Sequence, residues 1–184
     1  SDFDNDGTLD LLISNGHTSD NVERTGKGGT YREPTHCFRG DAGRRMIRVR
    51  GRDLDRPIVG RGLAVGDYDN DGRVDALVVD NEGAVLLLHN ETQPAGHWIS
   101  MRLEGRPGRR DPAGTRVRIH AEGKVRERRA HTDGSYLSAS DSRVHVGLGS
   151  APRIDRIDVI WPDGETTRID GPAIDRELRV ARSK

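Results

Sequence analysis

The stretch Asp67–Asp75 reads DYDNDGRVD. Carboxylates fall at alternate positions, Asp67, Asp69 and Asp71. Gly72 follows, and Asp75 closes the run. The same spacing, D-x-D-x-D-G-x-x-D, occurs 65 residues upstream as DFDNDGTLD, with Asp2, Asp4, Asp6 and Asp10. Four carboxylates in so short a loop repel one another and resist ionisation. A divalent cation reverses the sign of that interaction. Hard oxygen ligands from alternate positions, a glycine that permits a sharp turn and a backbone carbonyl next in line suit calcium. The expected ligands are the carboxylates of Asp67, Asp69, Asp71 and Asp75 with the carbonyl of Arg73, whose side chain is expected to face solvent. The upstream set is Asp2, Asp4, Asp6, the carbonyl of Thr8, and Asp10. Asn5 and Asn70, at the fourth position, suit a local turn. The competing interpretation is a solvated acidic turn, which the recurrence of the spacing disfavours.

Magnesium demands a tight octahedron and gives up water reluctantly. Zinc prefers Cys or His, and neither loop contains one. The loops are not EF-hands, because position 12 is Ile13 in one and Val78 in the other instead of glutamate. Both run straight into strand-like text, LDLLIS and VDALVVD.

Working outward, helical periodicity is almost absent. Short apolar runs separated by Gly, Asp, Asn and Pro predict an all-β chain. Strands are expected at Leu9–Ser14, Thr35–Gly40, Met46–Gly51, Gly62–Asp67, Val74–Asp80 and Ala84–His89. A second group is expected at Trp98–Gly105, Thr115–Ala121, Lys124–Ala130, Arg143–Gly149, Ile154–Trp161, Glu165–Asp170 and Glu177–Ala181. Ile99, Met101 and Leu103 share one strand face, as do Val117 and Ile119, and Ile157, Val159 and Trp161. Asp163-Gly164 signals a hairpin. Residues 16–33 are polar and read as a long surface loop.

Net charge is zero over 184 residues, but residues 1–90 carry 12 basic and 16 acidic residues while 91–184 carry 18 and 14. The sign change, with the polar stretch NETQPAG at Asn90–Gly96, divides the chain into units 1–92 and 93–184. The second unit lacks the aromatic interleaving of a single-strand binder, so no nucleic acid is expected. No apolar run reaches the roughly 20 residues of a membrane helix. The single cysteine, Cys37, excludes an internal disulfide. The chain opens one residue before an acidic loop and reads as part of something longer. The excess of arginine over lysine, 27 to 3, points toward a GC-rich bacterial genome.

A calcium loop feeding a strand, repeated at this interval, resembles the FG-GAP or VCBS repeat of integrin-type β-propellers. The pieces GHWISMRLEG, RRDPAGTRVRIH, DGSYLSASDSRVHVGLG and IDVIWPDGET, in that order, resemble the ASPIC/UnbV domain. That domain follows a VCBS-type propeller in cartilage acidic protein and in many bacterial proteins. The resemblance implies about one and a half blades of a calcium-binding propeller followed by a β-sandwich-like module, with structural calcium, up to two ions. A propeller needs about four blades or more, so the missing blades are expected as partners, with a protein or glycan ligand besides. It also implies a secreted or cell-surface location.

The expected function is a calcium-stabilised, non-enzymatic interaction module. The alternative is an enzyme or accessory protein of bacterial specialised metabolism, of the enediyne type, with a cavity between the two units. His120, His131 and His145 match no ligand spacing. Ser135 and Ser138 lie near His131 and Asp133, but no nucleophile elbow is present. Gly147–Gly149 reads as a strand end or bulge. The basic clusters Arg106–Asp111 and Lys124–Arg129 read as a solvated edge, with an acidic partner as the competing interpretation. Trp161 is expected to pack inward.

Overall fold

The computed structural model describes residues 1–26, 28–42, 45–93, 95–106 and 112–182. The chain is all-β, as expected. Each strand predicted above is present with its ends moved by at most two residues. Two further short strands, β2 (Glu33–Pro34) and β5 (Pro57–Ile58), pair with each other and tie the end of the long polar loop to the segment after the strand Met46–Val49. Their two-residue length leaves no periodicity to read. That loop also carries a 3-10 turn, Val22–Thr25, whose Val22 is buried.

The first acidic loop leads into a meander of β1 (Leu11–Ile13), β3 (His36–Gly40) and β4 (Met46–Val49). The second lies between β6 (Gly60–Gly66) and β7 (Asp75–Asp80), with β8 (Val85–Leu88) completing another three-stranded antiparallel sheet. Leu77 pairs with Leu87 and Val79 with Val85, and all four are exposed. They form a continuous apolar face that the described residues leave exposed.

The second half is a two-layer sandwich. One layer is β11 (Lys124–Arg129), β10 (Arg116–Ala121), β13 (Arg156–Ile160) and β14 (Thr166–Asp170), in that order. The other is β12 (Val144–Gly149), β9 (His97–Glu104) and β15 (Arg176–Ala181). β15 runs parallel to β9, an arrangement that hairpin signals cannot announce. The alternating apolar positions meet between the layers. Ile99, Met101, Val117, Ile119, Val146, Ile157 and Val159 are fully buried. Trp161 packs inward as predicted and donates its Nε1–H to Thr167 Oγ1 at 2.8 Å. The β13–β14 hairpin turns through Pro162 and Asp163, closed by Gly164 N–H donating to Trp161 O at 2.9 Å. Gly164 takes the left-handed φ of +90° that this turn demands.

Each such side chain contributes about 1.5–3 kcal/mol by leaving water. Ile119→Ala adds a cavity to that loss and is expected to cost about 2–5 kcal/mol in urea unfolding, without changing the strand content seen by circular dichroism.

Candidate metal centre and the junction between the halves

The two acidic loops have the same internal wiring. Asp2 Oδ2 accepts the Gly7 amide at 3.0 Å, and Asp67 Oδ2 accepts that of Gly72 at 2.9 Å. Asp6 Oδ1 accepts from Thr8 N at 2.6 Å and Asp71 Oδ1 from Arg73 N at 2.8 Å. The last acid clips the loop shut: Asp10 accepts Phe3 N at 2.7 Å, and Asp75 accepts Tyr68 N at 3.2 Å. The second oxygen of each reaches a neighbouring chain segment, Gly40 N at 2.9 Å and Asn90 N at 2.8 Å. Asn5 and Asn70 take left-handed φ values of +59° and +63°, which asparagine tolerates.

This wiring gathers oxygens. Ligand atoms of Asp2, Asp4 and Asp6 lie within 4.8 Å of one another, as do those of Asp67, Asp69 and Asp75. Asp71 groups instead with Asp69 and His89. Asp10 stands outside the first group, its two oxygens engaged by backbone amides. His89, which the loop pattern could not supply because it follows β8, brings Nδ1 to 3.2 Å from Asp75 and 4.0 Å from Asp69. The Arg73 side chain does not face solvent. Its Nε donates to Asn90 O at 2.6 Å, and its guanidinium pairs with Asp71.

The first loop is the more deeply set. Asp2 is 2 % exposed, and its Oδ1 is buried without a hydrogen-bond partner. Burial pushes its carboxyl up to about 7; Arg128 opposes that rise, and Asp6, Asp10 and Asp4 add to it. Burial also raises Asp4, reinforced by Asp6. Asp67 is raised by burial against the opposing pull of the Gly72 amide and Arg143.

Both loops dock on β12. The loops touch each other where Asn5 Nδ2 donates to Gly72 O at 2.8 Å. That leaves Asn5 Oδ1 as an acceptor, so His145 Nε2 carries the proton it donates at 2.7 Å. Two residues earlier on the same side, Arg143 donates to Asn70 Oδ1 at 2.6 Å and also to Asp67 O. Gly149 N–H donates to Asn5 O at 2.7 Å. A Cβ on Gly147 would meet the Asn5 backbone at 2.5 Å, so only glycine admits the loop here. Gly149, at φ +65°, ends the strand beside a register shift, as the sequence suggested. Trp98 stacks on His145 at 5.7 Å and covers Gly72, which has no room for a side chain. Asn90–Gly96 is pinned here too, by Asn90 Nδ2 on Phe3 O at 2.7 Å and Gly96 N on Asp4 O at 3.0 Å.

The other candidates resolve individually. His120 pairs with Asp158 at 2.8 Å and His131 with Asp133 at 3.0 Å, so the three histidines do not converge. Ser138 accepts Leu63 N at 3.0 Å and donates to Tyr136 O, and Ser140 accepts Val65 N at 3.2 Å. These hydroxyls complete the free edge of β6. Of the basic clusters, β11 is an edge strand whose Arg128 donates to Gly7 O at 3.1 Å and lies 3.8 Å from Asp2. Arg106 pairs with Glu165 at 3.0 Å; residues 107–111 of the other cluster lie outside the described residues. Beside the junction a cleft of about 530 Å³ opens between the halves, with Leu9, Leu11 and Leu63 on one side and Ser100, Arg128 and Arg129 on the other.

Residues 105–184 match the ASPIC and UnbV family model. The match spans less than half of the chain. It takes in the four-stranded layer, β12 and β15, and therefore Arg128, Arg143, His145 and Gly149, which all bond the acidic loops. Strand β9, at the centre of the other layer, precedes the matched ASPIC/UnbV segment. No curated protein matches the chain.

Burial lowers the His145 pKa from 6.5 to about 4, with Arg143 and Arg128 adding to the effect. The folded state therefore holds this imidazole neutral. Its contribution is complete above the unfolded value of 6.5 and is lost as pH falls toward the folded value of about 4. Relative to His145→Asn, which does not titrate, the protein should lose on the order of 2 kcal/mol between about pH 7.5 and 4.5. Paired urea titrations at the two pH values measure the difference.

Proposed function

We propose that the chain is a calcium-stabilised, non-enzymatic interaction module in which two FG-GAP/VCBS-type loops brace the ASPIC/UnbV segment. The observation that carries this is the orphaned Asp2 Oδ1, 98 % buried beside Asp4 and Asp6 in an all-oxygen donor set. A buried anionic oxygen without a donor is costly, and a hard divalent cation is the partner that such a set fits. Asp2, Asp4 and Asp6 would hold one ion, and Asp67, Asp69 and Asp75 the other, with the carbonyls of Thr8 and Arg73 and the carboxylates of Asp10 and Asp71 at the margins. The ion supplies charge neutralisation and rigidity. Among the described residues no nucleophile, base and orienting group come together.

The loops unite the halves, so an ion binding only the folded form stabilises the whole junction. At a hundredfold excess over Kd the gain is about 2.7 kcal/mol. Thermal melting is expected to rise with calcium, less with magnesium, and to fall with chelator. Asp69→Ala/Asp71→Ala should lose only the second site's share. A melt indifferent to calcium in the intact protein sinks the metal reading.

The partners we propose are further sheets of the same repeat. A repeat unit cannot bury its apolar face alone, and the face formed by Leu77, Val79, Val85 and Leu87 stands bare. The isolated chain should self-associate through it. Leu77→Lys/Leu87→Lys should raise the monomer fraction in analytical ultracentrifugation, whereas a strictly monomeric parent chain contradicts this partner. A secreted or cell-surface setting accords with the calcium reading. The inter-half cleft favours one second reading, an enzyme or accessory protein acting on a small molecule in bacterial specialised metabolism.

A further inference from the structure

The two acidic loops share their wiring and differ at one neighbouring position. The last acid of each loop accepts an amide from the adjoining chain segment, Asp10 from Gly40 N at 2.9 Å and Asp75 from Asn90 N at 2.8 Å. The residues just before those amides, Arg39 and His89, are therefore counterparts. Each reaches the second acid of its own loop at the same distance: Arg39 Nη1 lies 4.0 Å from Asp4, and His89 Nδ1 lies 4.0 Å from Asp69.

Chemically the counterparts are opposites. A guanidinium stays charged and has no lone pair to give, so Arg39 can neutralise a carboxylate and cannot ligate a cation. A neutral imidazole has a lone pair and is the commonest side-chain ligand of transition metals. His89 Nδ1 lies 3.2 Å from Asp75 Oδ1. Two ligands on one tetrahedral zinc, with bonds of about 2.0–2.1 Å, stand roughly 3.3 Å apart. His89 also groups with Asp69 and Asp71, and Asp69 belongs as well to the group of Asp67 and Asp75. The first loop gathers Asp2, Asp4 and Asp6, oxygen donors alone. Tyr68 holds the His89 ring edge-on, with centroids 5.7 Å apart. Nε2 has no partner among the described residues, so the ring proton can reside there and leave Nδ1 as the donor. The loop sequences argue against zinc because neither contains Cys or His. The fold supplies a histidine from just past β8.

We propose that His89 is a ligand of the second loop's ion and gives that loop a preference for an imidazole-binding dication of the zinc type, while Arg39 in the same place keeps the first loop to calcium. Imidazole suits zinc, and carboxylate and carbonyl oxygens suit calcium. The inference rests on the metal reading of the second loop and deepens it. Asp69 and Asp75 serve either ion, and the histidine selects between them.

Zinc serves as the probe, titrated into the full chain with and without calcium. Isothermal calorimetry gives affinity, and the ring-nitrogen shifts of the seven histidines give the place. The large shift is expected at His89 Nδ1, with calcium competing for the same site. His89→Gln, which puts an oxygen where the nitrogen was, should weaken zinc by at least about tenfold and leave calcium binding unchanged. A histidine that merely oriented Asp75 would, when replaced, weaken both ions alike. Arg39→His should add a second zinc-binding event. Arg39 is 54 % exposed and His89 34 %, so both variants are expected to fold, and amide spectra verify it. The proposal is overturned if zinc shifts His97, His120 or His131, which pair with single aspartates, and leaves His89 unmoved. It is overturned equally if His89→Gln weakens calcium as much as zinc or changes neither, or if Arg39→His gains no zinc. Zinc silence at His89 beside an intact calcium-dependent melt removes this inference alone. A melt indifferent to calcium removes the calcium reading and leaves a zinc shift at His89 standing.

Discussion

Everything at the centre of this molecule passes through Asn5. Its backbone is left-handed at φ +59°, and it is fully buried. Its side-chain amide reaches the other acidic loop at Gly72, and its oxygens take bonds from His145 and Gly149 on β12. One residue thereby joins two loops and a sandwich far apart in the chain. Each bond is made in a setting with little water, where an unmade partner costs about 1–3 kcal/mol. The contacts are therefore mutually enforcing: release of Asn5 orphans Gly72 O, Gly149 N and His145 Nε2 together.

The surrounding residues show how much the chain concedes to that contact. Gly147 and Gly72 give up side chains so that loop and strand, or loop and Trp98, can approach. His145 is held neutral, stacked on Trp98, with its Nδ1 buried and unpartnered. Arg128 is half-buried against Asp2 and Gly7, and that burial lowers its pKa. An assembly of buried charges and strained turns does not arise from hydrophobic patterning. It is stable only with its parts in register, and a cation in the carboxylate cluster would relieve its largest unfavourable feature. The charge asymmetry of the two halves has its structural meaning here. The acidic loops of the first half rest on arginines of the second.

The same junction shapes the cleft. Because the loops fasten the halves along one line, the surfaces beside that line stand apart and leave space between a leucine wall and a polar one. The segment from His131 to Asp141 borders it, tied to β6 by the hydroxyls of Ser138 and Ser140. Ser138, with Ser135, His131 and Asp133 nearby, belongs to a set that contains the residue types of a hydrolytic triad. The Ser138 hydroxyl, like that of Ser140, instead accepts a backbone amide from the edge of β6.

The sequence by itself determined the all-β class, the strands of both halves and the layers that Ile99, Val117 and Ile157 would share. Period-two alternation is a local property, and the side-chain direction it fixes survives any tertiary arrangement. It also determined the two acidic loops, because the turn that gathers their carboxylates is written in consecutive residues. What only the tertiary structure decided is who meets whom. The parallel β9–β15 pair, His89 beside Asp75, Asp10 turned away from the first cluster, and Asn5 between Gly72 and His145 join residues whose separation along the chain follows no period. Such contacts are chosen by the packing of whole sheets, and no short stretch of sequence records them.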